Sequence, residues 1–464
     1  MSTARAEPGS YRDPAGRIFH LDDRVLRTVT PAAVADYEQV RASGLIESLV
    51  ADGLLLPEKK IDRRELGDVA KNASVVLEHP RLPFISYPYE WPFPALKAAA
   101  LLQLEIYLRA LEYDVTLSDA AAYNIQFQGA RPVFIDHLSF KPYTPGAFWL
   151  AHRQFCEQFL NPLLLRASLG IAHNAWYRGN LEGISTTQLA RLLPTRKKFS
   201  WNMLTHVVLQ AYFQKGSANV SKGGVPSTDR QLPKKSFENM LRSMHAWISK
   251  LYPADTGKSV WQDYDQQHSY QDDEFRAKMS FVSEFSEATK PGVLWDIGCN
   301  TGEFSAAALN TGAQLVIGLD ADQGALERAF ARASKDDLNL LPLYMDLANP
   351  SPDQGWEQQE RAGLQGRAQA DAIIALAVVH HMAVSSNIPL ARAVDWLVTL
   401  APHGVIEFVP KSDPMVQTLL ALREDIFADY SEKTFTDALQ ARARIVKRQT
   451  VSSTGREMFW YARN

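Results

Sequence analysis

The chain has 464 residues and a mass of 51.9 kDa, room for two or three hydrophobic cores, which excludes one small binding module. Hydrophobic residues make up 46% and charged residues 22% of it, so wholesale disorder and fibrous repeats are excluded as well. A formal net charge of -3 gives no global attraction to nucleic acid or to an anionic membrane, and any polyanion site must be local.

Only two cysteines occur, Cys156 and Cys299, which argues against a disulfide framework and a cysteine zinc site. The start carries no apolar signal core, and no window reaches about 18 apolar residues. The expected setting is cytoplasmic, with no membrane partner. Residues 1–15 are polar and predict a disordered start. RIFHL and RVLRTV then predict two short strands, and from Pro31 to Leu56 apolar residues recur at helical spacing. VVLEHPRLPFISYPYEWPF predicts extended chain and turns before a strongly helical run, ALKAAALLQLEIYLRALEY, and helices continue to about residue 215.

The segment KGSANVSKGGVPSTDRQLPKK has the Gly, Ser, Pro and Lys content of a mobile linker, so 216–257 is expected to be linker and connecting helix. From Arg191 to Lys235 there are nine basic residues and a single acid, Asp229. Such a run is a solvated loop or a docking site for an anionic partner.

Beyond Lys290 short β-rich runs alternate with helical ones (VLWDIG, EFSAAALN, LVIGLD, GALERAFARA, LLPLYMDL, DAIIALAVV, PLARAVDWLVTL, VIEFV), the rhythm of a doubly wound α/β sheet. VLWDIGCNTGEFSAAAL predicts a strand, a turn and a helix. Gly298 and Gly302 let the backbone turn sharply and approach a ligand, and the helix start behind them offers free N–H groups. Asp296 would repel a pyrophosphate but welcome the ammonium of an amino-acid moiety. The next strand ends in Asp320, placed to accept ribose hydroxyls.

On this turn and second acidic strand end, residues 258–464 resemble the class I methyltransferases that use S-adenosylmethionine. The resemblance implies a seven-stranded sheet closed by the hairpin RIVKRQTV/REMFWYAR. It puts the methionine end of the cofactor near Asp296, Gly298, Asn300 and Gly302, the ribose on Asp320, and the adenine at Asp346 and Leu347. Asn300 stands in place of the family's middle glycine; Asn tolerates left-handed backbone. At the carboxyl edge of DAIIALAVV, His380 and His381 are candidate bases for an acceptor hydroxyl. Glu407, Lys411 and Asp413 in VIEFVPKSD either bind a polar acceptor or form a charged rim. Trp261, Tyr264, Tyr270 and Lys278 lie on a segment expected to cover the cofactor, Tyr264 reaching the acceptor.

In LEYDVTLSDAAAYNIQFQGARPVFIDHLSF, Asp119, Asn124 and Asp136 have a chemically meaningful spacing. Phosphotransfer needs one carboxylate to orient a hydroxyl and an Asn with a second carboxylate to hold magnesium. Residues 16–215 thereby resemble the protein-kinase-like superfamily, above all its small-molecule and aminoglycoside branches. The resemblance makes Asp119 the catalytic carboxylate and Asn124 and Asp136 the metal ligands. It implies ATP and Mg2+ only for an active site of that kind. The sequence departs from the pattern at Leu117 and Ser118, lacks a glycine-rich phosphate loop near residues 15–30, and leaves Arg24 or Arg27, paired with Glu38 or Glu47, in place of the usual lysine.

The expected fold class is therefore α/β, a seven-stranded doubly wound Rossmann-like methyltransferase domain at 258–464 preceded by an α+β kinase-like domain rich in helices. The expected activity is S-adenosylmethionine-dependent methyl transfer to a small-molecule or saccharide acceptor, with the N-terminal domain assisting recognition. Two alternatives remain open: a bifunctional kinase and methyltransferase, and a methyltransferase docking RNA or protein through 191–235. Oligomeric state is not legible in the sequence.

Overall fold

A computed structural model describes residues 4–212, 231–255, 270–367, 369–421 and 424–463. The chain divides into two compact units, one of residues 1–127, 131–256 and 354–361, the other of 128–130, 257–353 and 362–464.

The first unit opens with β1 (Arg5–Ala6), β2 (Ile18–Leu21) and β3 (Arg24–Val29), followed by helices α1 (Val34–Ala42) and α2 (Leu45–Ala51) and by β4 (Lys59–Ile61) and β5 (Val75–His79). These strands form an antiparallel sheet in the order β1-β2-β3-β5-β4. The disordered start expected for 1–15 is thus corrected for residues 4–15, and residues 1–3 lie outside the described residues. Arg5 and Ala6 pair with His20 and Phe19, and Glu7 holds His20 at 2.8 Å, so local pairing orders a polar segment. An extended stretch leads to α3 (Phe93–Glu112). Pro92 and Pro94 suit a helix start, where the missing N–H costs nothing, and the Ala- and Leu-rich body buries Leu96, Ala99, Leu104, Tyr107 and Leu111. Then β6 (Val115–Leu117), β7 (Ile125–Gln128), β8 (Arg131–Phe134) and β9 (Phe140–Pro142) form two ladders, β6 with β9 and β7 with β8. Helices including α4 (Asn161–Leu169) and α5 (Lys234–Ile248) complete the unit. Residues 213–230, where most of the expected mobile linker falls, lie outside the described residues.

The second unit begins with α6 (Tyr270–Thr289) and continues through β10 (Val293–Ile297), α7 (Glu303–Thr311), β11 (Leu315–Asp320), α8 (Gln323–Lys335), β12 (Leu340–Tyr344), β13 (Ala372–Ala375), α9 (Leu390–Leu400), β14 (His403–Phe408), α10 (Glu432–Gln440), β15 (Ala443–Thr450) and β16 (Glu457–Arg463). Its sheet runs β12-β11-β10-β13-β14-β16-β15. The first five are mutually parallel and β16 is antiparallel to both its neighbours. β10, β11 and β13 are continuous apolar runs because both faces are covered. The chain moves outward from β10 to β12, then crosses back to β13, so right-handed crossovers put helices on both faces and leave a crevice beside β10. Among the described residues no helix is long and apolar enough to cross a membrane.

Candidate active site

The crevice sits at the carboxyl ends of the parallel strands. After β10 the chain turns through Gly298, Asn300 and Gly302, all left-handed at φ +78°, +47° and +78°. A side chain at Gly298 would bring its Cβ to 2.5 Å from Val378 Cγ2, and one at Gly302 to 3.0 Å from Leu340 Cδ2. The turn is therefore packed as tightly as glycine permits. Asp320, at the end of β11, accepts the backbone N–H of Asn300 through Oδ2 at 2.8 Å and that of Asp322 through Oδ1 at 2.8 Å. A carboxylate has about four lone-pair sites, so acceptor capacity is left beside these backbone N–H groups. Burial raises its pKa, the backbone N–H groups working against that shift.

Asp296 lies deeper. It is buried, its Oδ2 accepts the Ser305 hydroxyl at 2.5 Å, and burial pushes its pKa up to about 7. It shapes the turn from within and presents no open carboxylate, a placement that the sequence, which set it beside the ammonium, did not reveal. Asp346 and Leu347 follow two and three residues after β12; both are half-buried, and Asp346 Oδ1 accepts Ala348 N–H at 2.9 Å.

β13 stops at Ala375, short of the long run DAIIALAVV, because Ala377 takes a left-handed conformation, φ +53°. The Ala377 N–H donates to Glu407 Oε2 at 2.7 Å. His380 and His381 come next, ring centroids 4.2 Å apart. His380 is buried, its Nδ1 finds no hydrogen-bond partner among the described residues, and burial followed by the neighbouring His381 lowers its pKa to about 3. His381 is half-buried, and burial lowers its pKa as well.

Glu407 on β14 does not line an open surface. It is fully buried, and Lys278 of α6 places Nζ 2.8 Å from its Oε1 and 2.7 Å from Glu274 Oε1. Arg456 grips Asp413 in a bidentate pair at 2.7 and 2.9 Å and comes within 3.4 Å of Glu274. Asp413 also accepts the Thr454 hydroxyl at 2.8 Å, and although burial alone would raise its pKa, the Arg456 and Thr454 hydrogen bonds bring it below the ordinary value. Lys411 turns to Asp425 at 2.8 Å. Glu407 and Asp413 are thus internal anchors. The i, i+4 spacing of Glu274 and Lys278 was a readable signal for part of this network; nothing local pointed to Arg456. Trp261 and Tyr264 and the side chain of Tyr270 lie outside the described residues.

In the first unit, Asn124 donates to Asp119 through Nδ2 at 3.1 Å, so these two expected site residues are brought together. Loss of solvation, followed by repulsion from Asp136, pushes the Asp119 pKa up to about 7. Asp136 is held by Arg27 at 2.6 Å, and Arg27 also holds Asp13 at 2.7 Å. The expected pairing of Arg24 or Arg27 with Glu38 or Glu47 is corrected. Arg24 reaches Glu78 across the β3–β5 ladder, Glu38 pairs with Lys60 and Glu47 with Arg41. Among the described residues no group of three His, Cys, Asp or Glu side chains is arranged to hold a metal.

No family model matches the sequence. Magnesium protoporphyrin IX methyltransferase (ChlM) from Synechocystis PCC 6803 with bound SAH is similar at 19% identity and a TM-score of 0.31, over 43% of this chain and 90% of that one. N-methyltransferase NodS from Bradyrhizobium japonicum WM9 in complex with SAH is similar at 14% identity and a TM-score of 0.31, over 41% and 87%. Over 462 residues, 98% of this chain and 96% of its relative, the sequence is 46% identical to nodulation protein NoeA of Rhizobium meliloti (strain 1021). The chain belongs to the family of the nodulation protein NoeA.

Proposed function

We propose that the chain is an S-adenosylmethionine-dependent methyltransferase acting on a small-molecule or saccharide acceptor, in the nodulation process for which its relative is named. The observation that carries this is the pairing of a tight left-handed glycine turn with Asp320, at the point where the parallel sheet reverses its strand order. The donor set fits the cofactor. Asp320 keeps acceptor capacity for a ribose hydroxyl, the turn excludes side chains where a close-lying ligand needs room, and Leu347 with Asp346 offers an apolar surface and an acceptor for an adenine amino group.

Bound there, S-adenosylmethionine supplies an electrophilic methyl group on a sulfonium. The protein's part is to align the acceptor with that methyl and to exclude water. Asp320 and the turn orient the donor. His381, half-buried, is the candidate to take the acceptor's proton; His380, buried with its pKa lowered to about 3, is too weak a base for that and lies against it, ring centroids 4.2 Å apart. The buried free cysteines, Cys156 and Cys299, support a reducing, cytoplasmic setting.

The first unit, in this reading, is a kinase-like scaffold that helps recognise the acceptor. The hold of Arg27 on Asp136 favours that role over phosphotransfer, since the carboxylate that would bind magnesium already has a cation.

Calorimetric titration of S-adenosylmethionine into the full chain tests the proposal. Saturable binding is expected, weakened on the order of tenfold or more by Asp320→Ala, which removes a charge-assisted contact. No saturable heat with the unaltered protein, or equal affinity in the variant, would overturn it.

A further inference from the structure

The basic stretch found in the sequence acquires a shape in the structure. A short 3-10 turn, Thr195–Phe199, carries Arg196, Lys197 and Lys198 and leads into helix 201–212. That helix is apolar on two sides. Met203, His206 and Val207 are buried against the unit. Away from them, Trp201 is 77%, Tyr212 72% and Leu209 41% exposed, with a π-helical turn, Leu204–Val208, between the first and the last two. Phe199, just ahead of the helix, is 78% exposed, and Leu192 is exposed too. No acid occurs between Arg191 and Tyr212, where four Lys and Arg fall, in a chain whose net charge is -3.

Apolar side chains on a second side of a helix belong in a core or against lipid, and among the described residues only one side of this helix has a core. The outward face combines aromatic and aliphatic side chains with cations at one end. We propose that this surface docks on an anionic lipid bilayer, the apolar face entering the headgroup boundary and Arg191, Arg196, Lys197 and Lys198 meeting lipid phosphates. Charge complementarity names the occupant. Cations without local counter-charge are drawn to an anionic leaflet, while apolar side chains gain from depth, and the two act together. Single-stranded RNA would use the cations and the flat faces of Phe199 and Trp201 but nothing in Leu192 or Leu209. The proposal is independent of the methyl-transfer reading and concerns where the enzyme works.

Vesicle co-sedimentation of the full chain tests it, using phosphatidylcholine alone and phosphatidylcholine with one-third phosphatidylglycerol. Binding to the mixed vesicles is expected and binding to the neutral ones is not. The triple variant Arg196→Gln, Lys197→Gln, Lys198→Gln should lose on the order of 100-fold in partitioning, by the contribution of each cation near an anionic surface. Trp201→Ser with Leu209→Ser should lose at least tenfold while keeping all the charge. These positions are exposed, and thermal melting of each variant at the unaltered temperature identifies a folded protein. Absence of binding to the mixed vesicles, full binding by either folded variant, or displacement from the vesicles by polyuridylate would each overturn the proposal, the last assigning the patch to nucleic acid.

Discussion

Arg27 and Asp136 form a charge pair 2.6 Å apart in which Arg27 is almost entirely withdrawn from solvent, and the same guanidinium holds Asp13. One cation thereby serves two carboxylates, with Asp119 near enough to be affected by Asp136. Arg27→Met leaves these acids without their counter-charge and should cost about 3–5 kcal/mol of stability. In the double variant with Asp136→Asn part of that loss is recovered, so a denaturation cycle should show a coupling of about 1 kcal/mol or more between the two positions. Additive losses would separate them.

The glycine turn makes a sharper test because two of its left-handed positions carry different residues. Gly298→Ala meets both an unfavourable φ of +78° and a contact of 2.5 Å with Val378, so it should lower stability by about 1–3 kcal/mol and abolish cofactor binding. Asn300→Gly keeps the left-handed backbone accessible and should leave both within about 1 kcal/mol. Melting curves and S-adenosylmethionine titrations on the two variants decide the matter; equal behaviour would mean that the turn is not conformationally demanding.

Much of the second unit was legible because its signals are local. Strands buried on both faces read as apolar runs, and the turn announces itself through Gly298 and Gly302 within a few residues. Ala377 shows where that stops. Nothing in DAIIALAVV marks a left-handed alanine, because its conformation is held by Glu407, thirty residues away in sequence. Arg456 is likewise known to Asp413 and Glu274 only through the folded sheet. In the first unit the spacing of Asp119, Asn124 and Asp136 was visible, but their state was not, since it depends on Arg27 arriving from a different strand.

The pH dependence separates two buried groups by sign. His380 is neutral in the fold with its pKa lowered to about 3, while the unfolded chain takes up a proton near pH 6.5. Its stabilising contribution is therefore complete above about pH 6.5 and lost as pH falls toward about 3. Asp296, pushed up to about 7, holds a proton that the unfolded carboxyl releases above about 3.9. Its contribution is complete below that value and lost as pH rises to about 7. Urea unfolding across pH should show a shallower acid limb for His380→Gln, and for Asp296→Asn a gain over the unaltered protein that grows between about pH 4 and 7. An unchanged acid limb in the histidine variant would mean that His380 takes up its proton at the same pH in the folded and the unfolded chain.

The Glu407 carboxylate links the buried charges to the candidate base. One oxygen accepts the Ala377 N–H at 2.7 Å and the other lies 2.8 Å from Lys278 Nζ. Left-handed backbone at an alanine costs about 1–2 kcal/mol, so the turn that carries His380 and His381 persists only because something holds it. Removing the carboxylate in Glu407→Ala releases Ala377 and strands Lys278 on Glu274 alone, while Asp320 and the glycine turn keep their own hydrogen bonds. S-adenosylmethionine affinity should then stay within about threefold, and methyl transfer should fall by about ten- to a hundredfold through misplacement of the histidines. Ala377→Gly in the Glu407→Ala background distinguishes strain from positioning. It removes the conformational cost and should restore stability by about 1 kcal/mol, yet it leaves the turn freer and should not restore kcat. Recovery of both together would show that Glu407 serves the fold and not the placement of the imidazoles.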